Sequence, residues 1–146
     1  MIDFSYYLKG GLIKRQHPDF SQIDKQIARA EKDLITFALV LEKDAEWAAT
    51  IAYHAMLRAG RALLFAYGYL PADGRQHKTV VEITGKILGV QYDLMVLQFE
   101  KLRKKRNIFF YDSIDTGNIA EAKKAAETAE QMIVAIKEKI TPCRPE

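Results

Sequence analysis

The residues whose spacing carries the most chemistry run from Leu102 to Asp112: Leu102, Arg103, Lys104, Lys105, Arg106, Asn107, Ile108, Phe109, Phe110, Tyr111, Asp112. Counting Lys101, five positive residues fall in a six-residue window. An arginine presents a planar fork of N–H donors that matches phosphate oxygens, and an amide beside it can position a ribose or phosphate oxygen. Rings next to those donors can stack on a base. Arg103, Lys104, Lys105, Arg106 and Asn107 therefore form a candidate anion site. The same residues also fit a solvated helix end whose Ile108, Phe109 and Phe110 pack on a core.

A second constellation is His54, Arg58 and Arg61, at i, i+4 and i+7. That spacing sets one polar stripe on an otherwise apolar helix. Charges in a central helix must be paired or face a cavity, because isolated burial costs too much. Acids of the preceding helix, Glu31, Asp33 or Glu42, are the expected partners; a functional cleft is the alternative. For His54 and His77 a backbone carbonyl is the expected partner. The histidines, at 17, 54 and 77, have no metal-ligand spacing. Glycine-rich phosphate loops, His-Glu-x-x-His and Cys-x-x-Cys are also missing, so no metal and no cofactor is expected.

The elements that must hold these residues are helical. The four prolines stand at 18, 71, 142 and 145, between or beyond periodic segments, and no long β-branched alternation occurs. Residues 1–18 form an arm, with a short helix over 4–14 bent at Gly10-Gly11. An up-and-down bundle of about five helices fills 19–141, and 142–146 is a tail. Its first long helix follows Pro18 with Asp19 or Ser21 as N-cap, and buries Ile23, Ile27, Ala30, Leu34, Phe37, Ala38 and Leu41. The second runs from about Asp44 to Gly68 and is apolar on most sides, Trp47 included, so it is central. Residues 69–74 read as a turn. A shorter helix from about His77 ends at Gly89. Another spans about Tyr92 to Phe110 with Leu94, Leu97, Phe99 and Leu102 inward. After a loop over 112–117, Asn118 and Glu121 cap a last helix with a stripe of small residues.

The chain has 146 residues, 49% of them apolar and 28% charged. A length of this order fits one domain and buries roughly 70% of its unfolded surface. Disorder, fibrous repeats and disulfide scaffolds are thereby excluded. Cys143 is the single cysteine, which points to a reducing, cytoplasmic setting. No apolar run has the length of a membrane span, so no membrane association is expected. Net charge is +3; outside the basic window 17 basic residues face 19 acidic ones, a balance of −2. The basicity is thus one local feature.

The segment from Ala52 to Tyr69, then His77, Arg103 to Tyr111 and the alanine-rich last helix together resemble a HEPN domain over about residues 20–140. The resemblance implies a helical bundle that usually forms a homodimer. It further implies one of three roles: metal-independent endoribonuclease, partner of a minimal nucleotidyltransferase in a toxin–antitoxin pair, or non-catalytic nucleotide- or RNA-binding module. Nuclease members carry Arg, a polar residue, three or four residues and then His. Arg106 and Asn107 match, but Tyr111 stands five residues after the arginine, and no histidine follows position 77. Metal-free cleavage needs a base for the 2′-hydroxyl. A tyrosine with a pKa of about 10 is about 0.1% ionised at pH 7, a handicap of roughly 4 kcal/mol. Some partner transferases adenylylate a tyrosine beyond this motif, but there it follows the histidine, so Tyr111 is out of register. A binding and interaction module with a degenerate nuclease motif is the expectation. An endoribonuclease using Arg106, Asn107 and an atypical base such as Tyr111 is the alternative.

Overall fold

Three side-chain caps start the three longest helices. The Asp19 carboxylate accepts the Ser21 and Gln22 backbone N–H groups at 3.0 and 3.3 Å, opening α2 (Phe20–Val40). Asp44 accepts from the Trp47 N–H at 3.0 Å and opens α3 (Ala45–Ala66). Asn118 accepts from the Glu121 N–H at 2.9 Å and opens α6 (Ile119–Ile140). Each cap satisfies a backbone donor that the helix itself cannot reach. The computed structural model describes residues 2–74, 76–112 and 118–145, with side chains for all of these except 107–112. The 113–117 part of the expected loop lies outside the described residues.

The remaining elements are α1 (Ser5–Lys9), β1 (Ile13–Arg15), β2 (Tyr69–Pro71), α4 (Gln76–Leu88) and α5 (Asp93–Asp112). The molecule is all-α apart from β1 and β2, which pair antiparallel with Ile13 opposite Pro71 and Arg15 opposite Tyr69. This corrects both the helix expected over 4–14 and the plain turn at 69–74. Three-residue strands carry too little periodicity to be read from sequence. What fixes them is tertiary: Phe4, Tyr7, Ile13 and Tyr69 are buried in the main core.

α3 occupies the centre, with 13 of its 22 residues buried. It packs against α2, α4, α5, α6 and β2. Alanines at 48, 52, 55, 59 and 62 let these neighbours approach closely. At Gly60 the approach is closest: a Cβ there would lie 2.8 Å from both Thr84 Oγ1 and Val80 Cγ1 of α4. Gly89 ends α4 with φ of +94°, in the region that favours glycine. The α6 stripe from Ala122 through Ala129 to Ile140 is buried as its spacing requires.

Four apolar assignments are corrected. Leu94 is 83% and Leu97 50% exposed, while Phe99 and Leu102 are buried. The inner face of α5 runs through Met95, Val96, Phe99 and Leu102 at three- and four-residue steps, and Leu94 and Leu97 fall off it. Ala38 of α2 is exposed, and Trp47, in the first turn of α3, is 42% exposed. Among the described residues no helix is long and apolar enough to cross a membrane.

Candidate functional site

The polar stripe of α3 meets α2 on one side and α4 on the other. Arg58 Nε donates to Asp33 Oδ2 at 2.8 Å, and Arg29 Nε approaches Oδ1 of the same carboxylate at 3.2 Å. Asp33 is buried, so two arginines supply the compensation its charge requires. Glu31 instead pairs with Lys137 of α6 at 3.2 Å, and Glu42 is exposed beyond the end of α2. On the other side, Arg61 Nη2 donates to Gln76 Oε1 at 3.4 Å.

α3 and α4 also bring two histidines together. The His54 and His77 ring centroids are 6.2 Å apart, nearly perpendicular. The Tyr53 hydroxyl lies 2.9 Å from His77 Nδ1. A tyrosine hydroxyl thus takes the place of the backbone carbonyl expected for His77. Burial pushes the Tyr53 pKa far above its ordinary value, and the nearby Arg106 and Arg103 charges only partly oppose this. The hydroxyl therefore keeps its proton. When it donates to Nδ1, the ring hydrogen of His77 resides on Nε2.

α5 completes the site with Arg103 and Arg106. Arg103 is tied to Glu100 of its own helix; Arg106 is half-buried. Burial and then the Arg106 charge lower the pKa of both histidines. For His54, Arg58 and Arg61 act in the same direction and Asp33 opposes them. For His77, with Arg61, His54 and Arg103 adding to the effect, the pKa is lowered to about 4. The charges of Arg58, Arg61, Arg103 and Arg106 thus act on one pair of imidazoles, which they and burial hold neutral at pH 7. A bound anion would offset the arginine field and raise both histidine pKa values, so anion binding takes up protons.

The basic run is not one patch. Helical periodicity spreads it around α5: the charges of Arg103 and Arg106 act on His77, and Lys104 is exposed. Lys105 forms an ion pair with Glu121 of α6. Asn107 and Tyr111 belong to the last turns of α5, and their side chains lie outside the described residues. Asp33 is one of the three acids expected opposite the arginine stripe, and it takes that place; the member that escaped the sequence reading is Tyr53, the partner of His77. The available signal for Tyr53 was its position beside His54 in an apolar run, since a buried hydroxyl needs a partner.

The His77 shift makes stability pH-dependent. The unfolded ring binds a proton near pH 6.5 and the native ring only near pH 4. Protonation therefore favours the unfolded chain, and stability present above pH 6.5 is lost as pH falls toward 4. After discounting for partial solvent exposure, the loss is roughly 1–2 kcal/mol. Urea denaturation from pH 7 to 4.5 checks this, and His77→Gln is expected to flatten the slope.

An all-α bundle whose central helix and two later helices gather arginine charges around a histidine pair is the class that fold and site define. The family model described as the HEPN domain matches residues 23–140, from the first turn of α2 to the end of α6. The chain belongs to the HEPN family, which makes it a nucleotide- or RNA-related module. No curated protein sequence matches it.

Proposed function

We propose that this HEPN chain binds a nucleotide or RNA phosphate beside the histidine pair of α3 and α4, with Arg106 of α5 as the principal contact. The observation that carries this reading is the paired His54 and His77 rings, 6.2 Å apart, on which the charges of Arg106 and Arg61 both act. Arginine forks suit phosphate oxygens, and the local field favours an anion. Working with a minimal nucleotidyltransferase in a toxin–antitoxin-like pair, in the cytoplasm, is part of the proposal and is supported by HEPN membership. Assembly as a homodimer is proposed as well. It is supported by exposed apolar residues on three helices, Ile35 and Leu39 of α2, Leu94 of α5 and Val134 of α6.

The histidine pair favours a second reading, a metal-independent endoribonuclease. A neutral imidazole can take the 2′-hydroxyl proton while the 2′-oxygen bonds to phosphorus and the P–O5′ bond breaks. The other imidazole, protonated once phosphate has raised its pKa, returns a proton to O5′. A cyclic phosphate and a 5′-hydroxyl result. His54 and His77 would supply the base that Tyr111 cannot.

One experiment addresses both. Fluorescent single-stranded RNA is titrated with protein in EDTA across salt concentrations. Phosphate binding predicts a steep fall in affinity with salt, with a log–log slope of about −0.7 per neutralised phosphate; a flat response rules out the phosphate contact. Cleavage products above an Arg106→Ala control establish the enzyme, and their complete absence leaves the binding module.

A further inference from the structure

Tyr53 and Arg106 also border a concavity between α3, α5 and α6. Its volume is about 220 Å³. Pockets for drug-sized ligands run to roughly 300–1,000 Å³, so this one admits a single ring system with its sugar, not stacked bases or a folded peptide. Ala49 of α3 and Leu102 of α5 give it an apolar floor, and the Gln98 amide adds both donors and an acceptor. The lining is cationic in balance: Lys101, Lys105, Arg106 and Lys124 face Glu46 and Glu121. The Lys105–Glu121 ion pair joins α5 to α6 beside it.

Each half of this composition is insufficient alone. A site for bare phosphate has no use for an apolar concavity, and a site for an apolar ligand has no use for surplus cations. Together they fit a molecule with a flat, polar-edged body and an anionic end. Arg106 lines the concavity, and its charge also reaches His54 and His77, the pair beside which phosphate is placed above. We infer that the α3–α5–α6 cavity is a nucleoside subsite, holding the base and sugar of a mononucleotide, free or at the end of an RNA strand, whose phosphate Arg106 binds. The inference rests on the proposed phosphate contact and adds to it the part of the ligand that gives selectivity.

Calorimetry on the full chain compares inorganic phosphate, ribose 5-phosphate, the four nucleoside 5′-monophosphates and a five-residue RNA. At least one monophosphate is expected to bind about tenfold more tightly than ribose 5-phosphate. Ala49→Phe, which fills the floor, is expected to bring that ratio to about one. Methyl spectra of the unaltered protein give a readout that needs no variant: Ala49 and Leu102 methyls shift with the monophosphate and stay unmoved by inorganic phosphate. Equal affinity for ribose 5-phosphate and every monophosphate, or unmoved Ala49 and Leu102 methyls, overturns the subsite. Phosphate binding that survives Arg106→Ala instead overturns the phosphate contact itself, so the two failures are distinguishable. If the RNA binds more tightly than its terminal monophosphate, the strand end is the source; equal affinity assigns the site to the free nucleotide. Either order supports the subsite.

Discussion

Replacing Arg106 with alanine is expected to weaken RNA binding by about 30- to 100-fold near 0.1 M salt. A hydrogen bond to a charged group contributes about 1.5–3 kcal/mol, and a two-pronged arginine–phosphate contact lies at the upper end. Each 1.4 kcal/mol is tenfold in affinity. Arg106→Lys is expected to recover only part of the loss, because an ammonium keeps the charge without the planar fork. Lys104→Ala, on an exposed side chain, is expected to cost about twofold or less. A second readout separates a phosphate contact from general damage. Removing the Arg106 charge lifts one cause of the His77 depression, so the His77 pKa rises from about 4 toward its ordinary value. Imidazole proton titration followed by NMR checks that rise in the folded variant. Anisotropy with labelled RNA checks the affinity, and undiminished binding by Arg106→Ala would refute the assignment.

The second large effect concerns stability. Gly60→Leu is expected to destabilise the protein by more than about 3 kcal/mol and Gly60→Ala by about 1–2 kcal/mol, even though alanine is the better helix former by about 1 kcal/mol. A Cβ at this position meets Thr84 Oγ1 and Val80 Cγ1 at 2.8 Å. Both belong to buried β-branched side chains with little rotamer freedom. Relief therefore requires α4 itself to move. That helix carries His77, so the bond to Tyr53 suffers together with the packing. Gly74→Ala serves as the control, since a Cβ there meets nothing within 4 Å; about 0.5 kcal/mol or less is expected. Urea denaturation gives both values, and a Gly60→Ala variant as stable as the parent would contradict the close packing.

Long-range order in this protein was legible where one residue type repeats at helical spacing. Asp19, Asp44 and Asn118 announced their helices, and the Ala122-to-Ile140 stripe announced a buried face. The ion pair between Arg58 and an acid of the preceding helix was also legible, since a charge in an apolar helix has to be compensated. What could not be read is the result of one helix meeting another. Leu94 and Phe99 are both apolar and near in sequence, and only the placement of α4 and α6 decides which is covered. The Ile13–Pro71 ladder goes with the burial of Phe4 and Tyr7 in the main core, which is a tertiary property. Likewise His54 and His77 look scattered along the chain, and become neighbours because α4 folds back on α3 near Gly60. Spacing located Arg106, but its position relative to two separate histidines is a tertiary property.

Arg106 lines the α3–α5–α6 concavity on one side while its charge acts on His54 and His77 on the other, and one side chain cannot adopt two best positions at once. Occupancy on either side therefore changes the free energy of occupancy on the other, by the same amount in both directions. A ligand that draws the guanidinium toward Leu102 and Lys101 weakens the field at His54 and His77, and their protons return more readily. Affinities measured on one side are thus conditional quantities, and the protonation of two imidazoles becomes a reporter of what sits across the wall.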